Sequence, residues 1–162
     1  RINHELTVPH LGDAKWNVEL GTFLNKENLR VIEWKYFRGS DFFIFSNPLK
    51  SFQMMGPTLT SEFSYLRGNF IHNFNGNIFG KIPLINRLNL QLSAGVSTLL
   101  IPGENLNHFE TFIGISRPFQ LWGDLVKFGI YGCSSVNSFT GSTFELKIGA
   151  SSFNPFTKKW DY

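Results

Sequence analysis

A chain of 162 residues can bury a core without disulfide staples, and its 18 Phe, its frequent Gly and Asn, and its lack of any run rich in Ala, Glu, Lys and Leu argue against a helical fold. Fifteen basic and 12 acidic residues leave a formal charge of +3 scattered along the chain, which excludes the basic stripe of a nucleic-acid binder. The single cysteine, Cys133, excludes an internal disulfide and a cysteine-rich metal site, and no run approaches the roughly 20 apolar residues of a transmembrane helix.

The sequence opens in mid-pattern with RINHELTV, without an initiator Met or a signal peptide, as a processed product or the back part of a longer protein would. In INHELTV, Ile2, Leu6 and Val8 share a parity opposite Asn3, Glu5 and Thr7. In AKWNVELGTF, Trp16, Val18 and Leu20 oppose Lys15, Asn17 and Glu19. Residues 25–49 are too long for a hairpin and rich in aromatics, and SFQMM reads as a less regular strand. In RGNFIHNFNGNIF, Phe70, Phe74 and Ile78 oppose Arg67, Asn69, Asn73, Asn75 and Asn77, with Ile71 an exception. RLNLQLSAGVSTLLI, residues 87–101, alternates Leu88, Leu90, Leu92, Ala94 and Val96 against Arg87, Asn89, Gln91, Ser93 and Ser97. Phe109, Ile113 and Ile115 oppose His108 and Glu110, with Phe112 out of step. Val126, Phe128 and Ile130 oppose Lys127, and Phe144, Leu146, Ile148 and Ala150 oppose Glu145 and Lys147. Period two recurring through about eight segments predicts an all-β fold of neighbouring antiparallel strands, joined by connections that carry the Gly, Pro, Asn or Asp of turns.

Alternation alone does not separate a soluble sandwich from the wall of a transmembrane barrel. Several segments run ten or more residues, and about 9–11 tilted residues cross a bilayer. The polar parity mixes charges and amides, as a wet interior would. Trp34, Tyr36 and Trp122 fall near strand ends, where an aromatic girdle would lie.

The segment HNFNGNIFGKIPLINRLNLQLSAGV, residues 72–96, resembles the end of a Bacteroidota outer-membrane family of unknown function, the carboxypeptidase-regulatory-like-domain-containing proteins. The resemblance rests on Phe74, Gly76, Ile82, Pro83, Leu84, Arg87, Leu88 and Leu90, on an upstream SFQMM followed by Glu62 and Phe63, and on a downstream hairpin over 109–132. It covers most of residues 50–150, with a loop IPGENLN shorter than is usual there. It implies a membrane-embedded barrel with earlier strands upstream of Arg1, and no enzymatic activity.

The expectation is therefore an antiparallel up-and-down transmembrane β-barrel over residues 1–153, part of a larger barrel, with a C-terminal tail at 154–162. Water inside the barrel would meet Lys15, Glu19, Arg67, Asn69, Asn73, Asn75, Arg87, Asn89, Gln91, Glu110, Lys127, Glu145 and Lys147. Lipid would meet Trp16, Val18, Leu20, Phe70, Phe74, Ile78, Leu88, Leu90, Leu92, Val96, Ile113, Ile115, Phe128, Ile130, Phe144, Leu146 and Ile148. With a periplasmic C-terminus, the turns at 80–86 and 118–124 face the periplasm and the loops near 57–60, 102–107 and 135–141 face outward. Residues 25–49 then fall on the periplasmic side, where connections are normally short; they must hide a strand pair or fold back as a lumen or rim element.

No HExxH, GxSxG or phosphate-binding glycine loop is present. His4 and His72 share the apolar parity and His10 lies in a turn; His108, Glu110 and Ser116 could assemble a hydrolytic set, but no spacing demands it. NKEN and GENLN are solvated loops rather than calcium sites, and Cys133 is expected to be a buried free thiol on the polar parity. The expected role is a non-enzymatic outer-membrane envelope component (a pore, a scaffold or a subunit of a larger assembly), needing no cofactor or metal. Its expected partners are membrane lipid, lipopolysaccharide and other outer-membrane proteins. The competing class is a soluble β-sandwich that binds carbohydrate on Trp34, Tyr36 and Trp122.

Overall fold

A computed structural model describes residues 1–8, 11–23, 30, 33–56, 59–81, 86–154 and 159–161. The strands in chain order are β1 (Ile2–Val8), β2 (Gly12–Gly21), β3 (Lys35–Phe37), β4 (Leu59–Ser61), β5 (Tyr65–Asn73), β6 (Gln91–Ile101), β7 (Leu106–Leu121), β8 (Asp124–Asn137), β9 (Gly141–Asn154) and β10 (Lys159–Asp161). Among the described residues there is no α-helix, only short 3₁₀ turns. Eight strands form one antiparallel sheet in the order β1-β2-β5-β6-β7-β8-β9-β10, and β3 and β4 pair separately. The sheet is open: no described strand joins β1 to the β9–β10 side.

The all-β antiparallel expectation holds, with two corrections to its elements. SFQMM, residues 51–55, is not a strand. Its backbone amides at Gln53 and Met54 are taken by the Glu110 side chain instead of a neighbouring ladder. The 87–101 strand begins only at Gln91, because Asn86–Leu88 is a 3₁₀ turn and Asn89 sits in the left-handed region at φ +50°. At the other end of that connection, Asn75 and Gly76 also have positive φ, so the chain turns where an alternating pattern would have continued. Asn and Gly are the residues that adopt this conformation at least cost. Phe74, Asn75, Ile78, Arg87, Leu88, Asn89 and Leu90 therefore belong to a connection rather than to strand faces. The Pro83 turn lies outside the described residues, as do His10 and NKEN.

Removing one strand from the count changes the sides. β2 and β5 are direct neighbours, with Gly21 opposite Tyr65, so residues 22–64 leave and rejoin the sheet at a single point. Thr22 Oγ1 and Ser64 Oγ lie 2.7 Å apart across that neck. Strand directions then put this excursion at the same end as the connections 102–105 and 138–140, and opposite 74–90 and the Trp122–Gly123 turn. The anticipated long connection among the short turns of the 80–86 side is thus corrected. The β7–β8 hairpin closes with two residues, Trp122 at φ +48° and Gly123 at φ +94°, the pair of positive φ angles of a type I′ turn. The tail does not simply trail away: Lys159–Asp161 returns along β9 opposite Ser152–Asn154.

The described part of the excursion folds across one face of the sheet. Phe37, Phe52 and Met55 pack with Tyr65, Leu99, Ile101 and Leu106, while Phe45 packs with Ile71, Phe112, Tyr131 and Cys133. Ile71 and Phe112, the two residues that break the alternation of their strands, are apolar residues on the covered face, and together they receive Phe45.

Candidate functional site

The sheet has one covered face, where the two core clusters lie among buried charged side chains, and one bare face, which is apolar. Residues buried beneath the excursion on the covered face include Asn17, Glu19, Arg67, Asn69, Ser97, His108, Glu110 and Lys147, with Glu110 and Lys147 each 1% exposed, while Lys127 is buried under the Trp160 ring of β10. Charged side chains are rarely so enclosed unless they are paired. Here they hold the excursion. Both Glu110 oxygens accept from the Gln53 N–H at 2.7 and 2.9 Å, one also accepts from the Met54 N–H at 2.9 Å, and His108 Nε2 lies 3.2 Å from it. Lys147 Nζ donates to the Asp41 carbonyl at 2.6 Å and lies 3.3 Å from Glu145. The Lys35 ammonium donates to Glu19 at 2.5 Å, and the Tyr65 hydroxyl donates to the same oxygen at 2.8 Å. Arg67 donates to Asn69 at 2.8 Å and lies over the Phe52 ring.

Burial alone would lower the pKa of Lys35, but the hydrogen bonds to Glu19 and Tyr65 outweigh it and raise the ammonium above its usual 10.5. A raised lysine value means that this link is fully present below that pH and is lost only as pH climbs through the raised value in strong alkali.

An aromatic socket completes the covered face. The Tyr131 ring lies over Gly114, Gly129 and Gly149 of three neighbouring strands, and Phe45 stacks on it with centroids 3.7 Å apart and an angle of 3°. A Cβ on Gly114 would stand 2.0 Å from Tyr131 Cδ1. Gly114→Ala must therefore tilt the ring and unseat Phe45, and is expected to cost about 1–3 kcal/mol, the range for overpacking. A lowered denaturation midpoint checks this. Gly132→Ala is the control, because its Cβ would meet nothing nearer than 3.5 Å.

The bare face carries Leu20, Phe70, Val96, Phe109, Ile113, Ile115, Phe119, Phe128, Ile130, Val136, Phe144, Leu146 and Ile148, all exposed, with Ile130 at 63%. A monomeric soluble protein rarely leaves a contiguous apolar patch larger than a few hundred Å² open.

Of the residues expected to meet internal water, Lys15, Glu19, Arg67, Asn69, Asn73, Gln91, Glu110, Lys127, Glu145 and Lys147 lie on the covered parity of their strands. Asn75, Arg87 and Asn89 do not, being in the connection described above. Of those expected to meet lipid, Trp16, Val18, Leu20, Phe70, Leu92, Val96, Ile113, Ile115, Phe128, Ile130, Phe144, Leu146 and Ile148 share the bare parity. Phe74, Ile78, Leu88 and Leu90 lie off the strands. The expected girdle is corrected: Trp34 and Tyr36 belong to the excursion, and only Trp122, 95% exposed at its hairpin tip, stands at the end of a strand of the main sheet. Exposed Phe119, near the end of β7, and Phe139, in the β8–β9 connection, have no place in the sequence reading, whereas Phe109, read there as part of an apolar row, stands near the start of β7.

His108 and Glu110 are brought together, but Ser116 is not. Six residues at about 3.3 Å each place it roughly 20 Å along β7, where its hydroxyl donates to the Gln91 carbonyl. Cys133 is a buried free thiol on the covered face. Among the described residues no group of three or more His, Cys, Asp or Glu is placed to share a metal ion.

Residues 1–115 match a family described as the C-terminal domain of DUF5686, a family of unknown function. The chain belongs to the DUF5686 C-terminal domain family. The matched span covers β1 to β6 and most of β7, including the excursion and Glu110. It starts earlier and stops earlier than the 50–150 range of the sequence resemblance. No curated protein and no solved structure matches the chain.

Proposed function

We propose that this DUF5686 domain is part of the wall of a transmembrane β-barrel in a bacterial outer membrane, a non-enzymatic envelope component whose excursion, residues 22–64, serves as its own plug. The observation that carries this reading is the bare apolar face of the sheet, set against a covered face that encloses charged side chains beside its core clusters. Phe109 and Phe119 both lie on the bare row of β7, which also carries Thr111 and, lying over the Phe119 ring, Arg117, and are about 33 Å apart at roughly 3.3 Å per residue. At a strand tilt of about 40° that corresponds to about 25 Å, the height of a barrel's apolar band between its aromatic girdles. Phe139 lies at the Phe109 end and Trp122 at the Phe119 end.

The plug also bears on the size of the barrel. An eight-stranded barrel has an interior just filled by its own side chains. The covered face holds, beyond its own side chains, Phe37, Phe45, Phe52, Met54 and Met55 of the excursion. A wall around this filling needs more than eight strands, in keeping with a larger barrel that includes strands from outside these residues. Lipid and lipopolysaccharide would cover the bare face, and with the plug seated the interior would not conduct. The sandwich alternative would need a second sheet over the apolar face, whereas the covering element here lies on the opposite one.

The test is refolding into detergent or phospholipid vesicles. The expected results are flotation with vesicles and a compact, SDS-resistant species whose mobility changes on heating. A monodisperse monomer in detergent-free buffer would overturn the reading.

A further inference from the structure

The edge of β9 is built as though for a strand that it does not yet have. β10 pairs only with Ser152–Asn154, and from Gly141 to Lys147 no described strand lies beside that edge. Between these stretches sits the one parallel contact among the described residues: Ile148 N–H donates to the Phe43 carbonyl at 2.8 Å, and Phe45 N–H donates to the Ile148 carbonyl at 2.9 Å. Every other pairing in the sheet is antiparallel. Backbone direction alternates with period two, so the amides of Ser142, Phe144 and Leu146 point to the same side as that of Ile148. An unpaired row of this kind is a template for strand addition.

Resting on the barrel reading, we propose that the β9 edge is a seam that accepts a further antiparallel strand of the barrel wall, and that Phe43–Phe45 holds the place of that strand until it arrives. The direction is set by β10, which already runs antiparallel on the same edge. The chemistry of the incoming strand follows from its neighbours. On the bare side it lies next to Phe144, Leu146 and Ile148, all more than half exposed, and needs apolar residues. On the covered side it faces Glu145 and Lys147 and needs amides or complementary charges. About ten alternating residues would span Gly141 to Ala150. Its arrival displaces Phe43 and Ile44, themselves exposed apolar residues, from the edge.

The test uses full-length protein carrying Ile44→Cys and Ile148→Cys, with the enclosed Cys133 left in place and the two single variants as controls. A short bifunctional thiol reagent is applied before insertion and again in vesicles. The pair should crosslink before insertion and at least tenfold less afterwards. In the unsubstituted inserted protein, hydrogen exchange at Phe144 and Leu146 should be protected. Equal crosslinking in the inserted form, or freely exchanging Phe144 and Leu146 amides there, overturns the seam while leaving the barrel intact. A protein that never acquires heat-modifiable mobility overturns the barrel reading, and the seam with it.

Discussion

Glu110→Ala is expected to loosen the plug without dissolving the wall. Glu110 receives the Gln53 and Met54 amides and the His108 ring on a side chain that is 1% exposed. Each buried donor left without a partner costs about 1–3 kcal/mol, so removing their common acceptor should cost about 3–5 kcal/mol in plug seating. At 1.4 kcal/mol per tenfold, hydrogen exchange at Gln53 and Met54 should speed up by at least about 100-fold. Protease should then cut between residues 34 and 56. Glu110→Gln has the same shape, but turns one oxygen into an NH₂ group that faces other donors, so it should recover little of the loss. Unchanged exchange at Gln53 and Met54 in both variants would show that the excursion is held without Glu110, by Phe45 on Tyr131, Phe52 against His108 and the Lys147 and Lys35 contacts.

The second large effect belongs to the bare face. Ile130 lies midway along the exposed row of β8, between Val126 near the hairpin turn and Val136 at the other end. In water, a charge substituted for an exposed isoleucine changes stability by no more than about 0.5 kcal/mol. At the middle of a bilayer, Arg on a barrel's lipid face costs about 2–4 kcal/mol, falling to about 0–1 near the interfaces. Ile130→Arg should therefore destabilise the vesicle-inserted protein by about 2–4 kcal/mol, and Val136→Arg by no more than about 1. Denaturant unfolding in vesicles reads both. Equal costs near zero would mean that lipid does not meet this face.

Much of the sheet was legible in the sequence because period two is a local signal: Glu145, Lys147, Phe144 and Leu146 declare two faces within a few residues. The exceptions were as informative as the rule. Ile71 and Phe112 looked like noise until the excursion delivered Phe45 onto them, a contact that joins residues far apart in the chain and leaves no periodic trace. The same holds for Glu110, whose partners Gln53 and Met54 lie in a segment read as a strand. Backbone amides caught by a distant carboxyl group look, in sequence, like amides waiting for a ladder. The asparagines of 73–89 misled in the opposite way. Their polarity fitted one face, but Asn75 and Asn89 serve the backbone by taking positive φ. Trp34 and Tyr36 were placed by their type alone, and their position in the excursion depends on where the chain leaves β2.

The neck between Gly21 and Tyr65 has a consequence for the order in which the molecule is put together. Because these two residues face each other in the ladder, β2 and β5 can zip as a hairpin whatever lies between them. Loop closure grows only as the logarithm of length, about 0.6 kcal/mol per doubling, so carrying roughly forty residues instead of a four-residue turn adds about 2 kcal/mol to that step. Wall and filling are therefore separable in connectivity, as a door hung from a single hinge is separable from its frame. The strands can reach their register first, and the excursion can swing in afterwards to meet Glu110, Tyr131 and Lys147 on a surface that is already complete.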